Sequence, residues 1–173
     1  MPAIELRRLR DPDDAAACDE LFAEYGRWIV EQLGVVHGLV LTEQQFGRVH
    51  TAFRDDRHKV FGARGRLYLA EVDGATAGVS ALRPVSATEA EVKRVYVRPA
   101  YRGLGLGRRL LGRLLDDARE LGFATVRLES LDFMAEAHGL YRAFGFADTE
   151  RFPGFEGVGH GVEPYEVFMR LTL

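Results

Sequence analysis

The sequence has 173 residues, of which 47% are hydrophobic and 28% charged, and its formal net charge is -3. This length suits one domain, residues 1–173, and the composition is that of a globular protein with a packed core. The slight negative charge argues against a protein that mainly binds a nucleic-acid backbone, because such domains usually carry a basic excess.

The cysteine and histidine content limits the chemistry further. A single cysteine, Cys18, excludes an internal disulfide and any site built from several cysteines. The histidines show no metal-ligand spacing, so we expect no metal. No run of about 18 apolar residues and no signal-peptide core is present, which predicts a cytoplasmic protein without a membrane partner. A homodimer is compatible with the sequence, since dimers are common among soluble proteins.

The N-terminal part of the chain predicts one strand and two helices. Residues 3–9 are suited to a strand. A helix is expected over residues 12–33, where Asp11 provides the cap and Gly34 the stop. Residues 42–58 begin with capping-box spacing and continue with apolar residues at helical intervals, which predicts a second helix.

The middle of the chain predicts a hairpin and a third strand. Residues 67–72 and 77–82 are separated by a turn at Asp73-Gly74, which is typical of two antiparallel strands. The third strand is expected over residues 89–97. The helix that follows, residues 105–121, has the most regular apolar periodicity of the chain.

After this helix the elements are shorter. A strand over residues 124–129 is expected to return beside strand 89–97 through a right-handed crossover. The remaining elements are a helix from about 133 to 145, a strand over 146–152, a glycine-rich loop over 153–164 and a final strand over 165–173. Together they predict an α/β domain with a mixed, mostly antiparallel sheet flanked by helices.

A glycine-rich loop joins strand 89–97 to the regular helix. Gly103, Gly105 and Gly107 alternate with other residues just before the helix begins. Such a loop presents backbone N–H groups and a helix N-terminus to an anion. Arg102, Arg108, Arg109 and Arg113 crowd around it. A polyanionic ligand explains this cluster, and a solvated helix face is the alternative.

Two familiar phosphate-binding loops do not match. A Walker loop requires Gly-Lys-Ser/Thr, whereas Gly107 is followed by two arginines. A dinucleotide fingerprint requires its third glycine one position later, and further parallel strands for which too few residues remain.

Strand 89–97 followed by Arg102-x-x-Gly105-x-Gly107 resembles the acetyl-CoA motif of the Gcn5-related N-acetyltransferases, the GNAT superfamily. The downstream segment 140–146, Leu-Tyr-Arg-Ala-Phe-Gly-Phe, resembles the second signature of that family. The resemblance covers about residues 67 to 150. It implies an acyl-CoA N-acyltransferase fold, with acetyl-CoA as co-substrate and an amine as acceptor.

The resemblance also assigns residues to the cofactor. Val95, Tyr96 and Val97 match the strand end whose backbone pairs with the pantetheine arm. The strands 89–97 and 124–129 are splayed apart in the family to admit the thioester. The residues that match the diphosphate cradle are Arg102, Gly103, Leu104, Gly105, Leu106, Gly107 and Arg108.

Three groups are candidates for the chemistry of acetyl transfer. The resemblance places the backbone N–H near Val95 at the thioester carbonyl, and Tyr141 where many members have a general acid. Glu91 is the candidate general base, and a strand glutamate paired with Lys93 or Arg94 is the alternative. Direct transfer without an acyl-enzyme is expected, because Cys18 is remote from the motif.

The acceptor is less well defined. The weak candidates for contact with it are Trp28, Glu31, Glu129 and Phe155. Their aromatic and acidic character suits a cationic primary amine, on a small molecule or on a peptide or protein. A non-catalytic acyl-CoA sensor or interaction domain is the alternative function.

Overall fold

A computed structural model describes residues 1–11, 16–42, 57–153 and 161–173. Within these ranges, seven strands form one sheet in the order β1-β2-β3-β4-β5-β7-β6. The strands are β1 (Ile4–Arg8), β2 (Arg66–Val72), β3 (Ala75–Pro84), β4 (Glu89–Val97), β5 (Thr125–Leu131), β6 (Ala147–Asp148) and β7 (Glu166–Thr172). All neighbours are antiparallel except β4 and β5. The predicted mixed, mostly antiparallel sheet is therefore confirmed.

Helices cover both faces of the sheet. The long helices of the described ranges are α1 (Ala16–His37), α2 (Leu106–Glu120) and α3 (Ala135–Ala143). Leu110, Leu114 and Tyr141 pack with one face, so α2 and α3 lie on the same side. Cys18 and Leu21 pack with the opposite face, which α1 covers. Within the described residues, no helix is both long enough and apolar enough to cross a membrane.

The sheet opens between β4 and β5. These parallel strands are paired only from Glu89 opposite Thr125 to Glu91 opposite Arg127. Beyond these positions the ladder ends, although both strands continue to Val97 and Leu131. A gap therefore separates the C-terminal halves of two neighbouring strands, as the family resemblance implied.

A bulge lies in β4 beside this gap. Val79 of β3 is opposite Tyr96 and Ala81 is opposite Lys93, so β4 has one more residue than β3 between the two pairs. Arg94 has a positive φ of 59°, which is unusual for a residue other than glycine. Such a bulge disrupts the ladder and leaves the extra residue unpaired.

Two predicted boundaries are wrong. Helix α1 continues through Gly34 and ends at His37, where Gly38 has a positive φ of 66°. The strand expected over 146–152 is reduced to Ala147–Asp148, because Phe152 instead packs edge-on against Phe168 at 5.0 Å between ring centres. Most of the predicted helix 42–58 lies outside the described residues.

Candidate active site

A cavity of about 730 Å³ lies where β4 and β5 diverge. Helix α1 contributes Tyr25 and Trp28 to its wall, and α3 contributes Leu140 and Tyr141 from the other face of the sheet. The cavity therefore reaches through the gap between the strands. Its other lining residues are Gln32, Val95, Tyr96, Val97, Tyr101, Arg102, Gly103, Gly105, Leu106, Gly107, Arg108, Phe133, Met134, Ala135, Glu136 and Ala137.

The glycine-rich loop forms one wall. Gly103 and Gly105 have positive φ values of 82° and 75°, and Gly105 is the N-cap residue of α2. No side chain within the described ranges caps this helix end, so the first-turn N–H groups remain available to a ligand. Together with the helix dipole they make an anion-binding position at the cavity.

The arginines around the loop differ in their roles. Arg102 is exposed, and its Nε lies 3.4 Å from the carbonyl oxygen of Val97. Arg108 and Arg109 are also exposed. Arg113 instead donates to Asp117 at 2.7 Å and to the Tyr68 hydroxyl at 3.0 Å, so it belongs to a structural network. The cluster available to an anion is thus smaller than the sequence suggested.

The two motifs found in the sequence meet in space. A Cβ added to Gly107 would lie 3.3 Å from Cδ2 of Leu140, so glycine permits the close approach of α2 and α3. Leu140 and Tyr141 of the second motif line the same cavity as the glycine loop. Leu104 is the one loop residue of the predicted set that is absent from the lining, and its side chain is exposed.

Tyr141 is one of four tyrosines in the cavity lining, with Tyr25, Tyr96 and Tyr101. It lines the cavity, yet only 7% of it is exposed to solvent. Burial, with a smaller effect from Tyr25, raises the pKa of Tyr141. The phenol therefore stays protonated at neutral pH, which is the state a general acid requires.

Glu91 lies outside the cavity lining. It is fully buried and its carboxylate is within 3.2 Å of Arg83, Lys93 and Arg127. Burial alone would raise the pKa of Glu91, but the charges of Lys93, Arg83 and Arg127 outweigh it and lower the pKa. A carboxylate held in this way takes up a proton poorly. This geometry favours the structural alternative over the role of general base.

The predicted acceptor residues are scattered. Trp28 lines the cavity, where its ring lies 5.9 Å from Cζ of Arg102. Glu31 is exposed and is absent from the lining, and Glu129 accepts a hydrogen bond from Lys93 at 3.0 Å. Phe155 lies outside the described residues. Cys18 is buried, and burial raises its thiol pKa to about 12.

The sequence analysis singled out neither Tyr25 nor Glu166. Tyr25 lines the cavity and its ring lies 5.3 Å from that of Tyr96. Glu166, the first residue of β7, has a side chain that is only 4% exposed, and burial with the nearby charge of Glu129 raises its pKa to about 7. An acid at the start of an alternating strand gives no signal that distinguishes it from a surface residue.

Comparison with known proteins agrees with this geometry. Residues 35–146 match the acetyltransferase (GNAT) family, so the chain belongs to that family of acetyl-CoA-dependent acyltransferases. YjgM of Escherichia coli K12, named an uncharacterized N-acetyltransferase, is 29% identical over 133 residues, which cover 75% of this chain and 78% of YjgM. The family resemblance of the sequence is confirmed.

The chain is also similar to a relative that is named for its substrates and to a structure that contains coenzyme A. An L-methionine sulfoximine/L-methionine sulfone acetyltransferase of Salmonella typhimurium is 41% identical over 81 residues, 46% of each chain. The match thus spans about half the length of that relative. The PaiA N-acetyltransferase of Thermoplasma acidophilum, solved in complex with coenzyme A, has a TM-score of 0.70 with 17% identity over 99% of both chains. This structural likeness supports the fold.

Proposed function

We propose that the chain transfers an acetyl group from acetyl-CoA to a primary amine by direct attack. The observation that carries the proposal is the uncapped N-terminus of α2, with Gly103 and Gly105 in positive-φ conformations, at the wall of the cavity between β4 and β5. Strands from both ends of the chain, β1 and β7, share the sheet, which supports a single domain over residues 1–173.

The proposal includes one orientation for the coenzyme in this cavity. Its diphosphate is placed at the N–H groups of residues 103–108, with Arg102 and Arg108 adding positive charge from exposed positions. The pantetheine arm runs along the backbone of Val95, Tyr96 and Val97, where β4 pairs with no strand on its β5 side within the described residues. The thioester then lies in the gap between the strands.

The bulge and Tyr141 supply the chemistry. The amine lone pair attacks the carbonyl carbon, and negative charge develops on the carbonyl oxygen. The Val95 N–H, next to the bulge at Arg94, is assigned as the donor that stabilises this charge. The C–S bond then breaks, and the sulfur takes a proton from Tyr141, which lines the cavity. The nitrogen returns a proton to Tyr141 as the amide forms.

The position of Cys18 supports direct transfer. Its thiol is fully buried against the α1 face and is absent from the cavity lining. Burial raises its pKa to about 12, so it is almost entirely protonated at neutral pH and is a poor nucleophile. An acetylated Cys18 in single-turnover experiments would contradict direct transfer.

The name of the Salmonella relative favours an amino-acid-like small molecule as the acceptor. A peptide or protein amine is the alternative. The aromatic wall formed by Tyr25 and Trp28, stacked at 6.1 Å between ring centres, suits a ligand with a cationic amine.

Calorimetry and an acceptor screen test the proposal. Acetyl-CoA should bind the purified chain, and Arg102→Glu with Gly105→Asp should abolish the heat of binding. Thiol release is then measured with L-lysine, L-methionine sulfone, spermidine and a short peptide with a free N-terminus. Release with at least one amine supports transfer. Binding without release for every amine favours a non-catalytic acyl-CoA sensor.

A further inference from the structure

Two carboxylates lie side by side where β5 and β7 continue past the opening of the sheet. Glu129 of β5 is opposite Phe168, and Glu166 of β7 is opposite Leu131. Glu129 and Glu166 are therefore diagonal neighbours on one face of an antiparallel pair, within reach of each other's side chains. This face is the one that α1 covers, because the residues alternating with them, Leu128 and Met169, pack on the opposite side.

Among the described residues, the buried carboxylate of Glu166 has little nearby positive charge to balance its own. Its side chain is 4% exposed and its Oε2 has no hydrogen-bond partner among the described residues. Arg151, 47% exposed, has its Nη2 3.7 Å from that oxygen, and the same nitrogen donates to the carbonyl of Glu163 at 2.7 Å. Glu91, in contrast, has three cationic side chains within 3.2 Å. A further cation beside Glu166 would offset the cost of burying its charge.

The pair adjoins the cavity through two neighbouring elements. Lys93 donates to Glu129 at 3.0 Å across the open gap, and Val95, two residues further along β4, lines the cavity. Leu131, opposite Glu166, is two residues before Phe133, which also lines it. Neither acid is itself in the cavity lining, but each contacts or lies opposite a residue that is two positions from a lining residue.

Building on the proposed acetyl transfer, we propose that Glu129 and Glu166 bind the ammonium group of the acceptor and that Glu166 takes its first proton. The freed lone pair forms the N–C bond as the C–S bond breaks. The sulfur receives a proton from Tyr141, which regains one from the nitrogen as the amide forms. Glu166 releases the first proton to solvent, so each turnover liberates one proton overall. The acceptor class is then a primary amine that is cationic at neutral pH.

The surroundings of Glu166 suit this role. Burial, the charge of Glu129 and the charge of Glu163 raise its pKa, while Arg151 and Lys93 oppose them, and the result is a value of about 7. A base with a pKa near the working pH can both accept and release a proton. Glu166 must be ionised to bind the ammonium, so kcat/KM is expected to fall as the pH drops below about 7.

The test uses the most active amine of the screen and a matched control. Glu166→Gln should lower kcat/KM about 100-fold and abolish the acidic limb of the pH profile. Glu150→Gln, an exposed acid on the segment before β7, should leave both unchanged. The affinity for acetyl-CoA, measured by calorimetry, should be the same in all three proteins.

Other outcomes separate the two proposals. Activity and pH profile unchanged in Glu166→Gln would overturn the role of Glu166 while leaving acetyl transfer intact, whereas a wild type that releases no thiol with any amine overturns both. If Glu166→Gln fails to fold, Glu166→Asp decides instead. It withdraws the carboxylate by one methylene and should keep the acidic limb but lose most of kcat/KM, and an unchanged kcat/KM would contradict the proposal.

Discussion

Arg98, just after β4, and Glu24, in the middle of α1, form a two-point ion pair. Nη2 of Arg98 is 2.6 Å from Oε1 of Glu24, and its Nε donates to Oε2 at 3.0 Å. Nη1 of the same arginine donates to the carbonyl of Thr76 at 2.8 Å. One guanidinium thus fixes α1, β3 and the start of the glycine-rich loop together. Because α1 and the loop both line the cavity, this contact ties two parts of its wall together.

Arg98→Lys should therefore destabilise the protein by about 1 to 2 kcal/mol, because an ammonium group cannot reproduce the planar, multidentate contacts. Both side chains are about one-quarter exposed, which keeps the effect moderate. Arg119→Lys, in a pair that is more than half exposed, should change stability by less than about 0.5 kcal/mol. Urea unfolding measures both. Equal effects of the two substitutions would contradict a positioning role for Arg98.

Gly105→Ala should weaken acetyl-CoA binding through the backbone alone. A Cβ at this position meets no atom within 4 Å, but the φ of 75° costs a residue other than glycine about 1 to 2 kcal/mol. Relief of that strain would turn the N–H groups of the α2 N-terminus away from the diphosphate. The matched control is Gly139→Ala, an open position in α3, which should be neutral or stabilising. Calorimetric affinity for acetyl-CoA should fall about tenfold or more in the first variant and stay constant in the second.

The strands and helices that could be predicted correctly are those whose hydrophobic pattern and end signals are contiguous in the sequence. Strand β4 matches its predicted range, Glu89–Val97, and α2 differs from its predicted range by one residue at each end. The glycine loop is found between them because its motif, strand and helix are contiguous in the sequence. Its position at a cavity wall depends in addition on α1 and α3, which supply other lining residues.

The errors arise where distant residues decide the outcome. Gly34 is a local stop signal, yet α1 continues because His37 is held by Asp132 at 2.8 Å and stacks on Tyr165 at 3.7 Å between ring centres. Of the three cationic side chains around Glu91, only Lys93 is close to it in the sequence. Its other cations, Arg83 and Arg127, come from β3 and β5, so its fully compensated state depends on strand order and register.

Tyr141→Phe should lower kcat by about 100-fold or more, while the affinity for acetyl-CoA stays constant, because only the proton donor is removed. Tyr101→Phe removes a hydroxyl from the same cavity lining and is the matched control. Thiol release under saturating acetyl-CoA measures both. Full activity of Tyr141→Phe would show that the leaving sulfur is protonated by another group, such as water.

Glu91→Gln separates structure from catalysis. Removing this carboxylate leaves Arg83, Lys93 and Arg127 buried without their shared counter-charge, so the free energy of unfolding should fall by about 3 to 5 kcal/mol at neutral pH. Folded molecules of the variant should keep kcat within about threefold if the residue is structural. A loss of 100-fold with an unchanged melting temperature would instead identify Glu91 as the base.

The difference in free energy of unfolding between the wild type and Glu91→Gln should depend on pH. The pKa of Glu91 is lower in the folded chain than its ordinary value of 4.5, so the folded state binds fewer protons than the unfolded state. The stabilisation by Glu91 is therefore complete above about pH 4.5 and is lost as the pH falls through the lower, folded pKa. Urea unfolding of wild type and Glu91→Gln from pH 7 to pH 3 should show the gap between the two proteins narrowing only in the acidic range. A gap that stays constant to pH 3 would mean that the three cations do not act on this carboxylate.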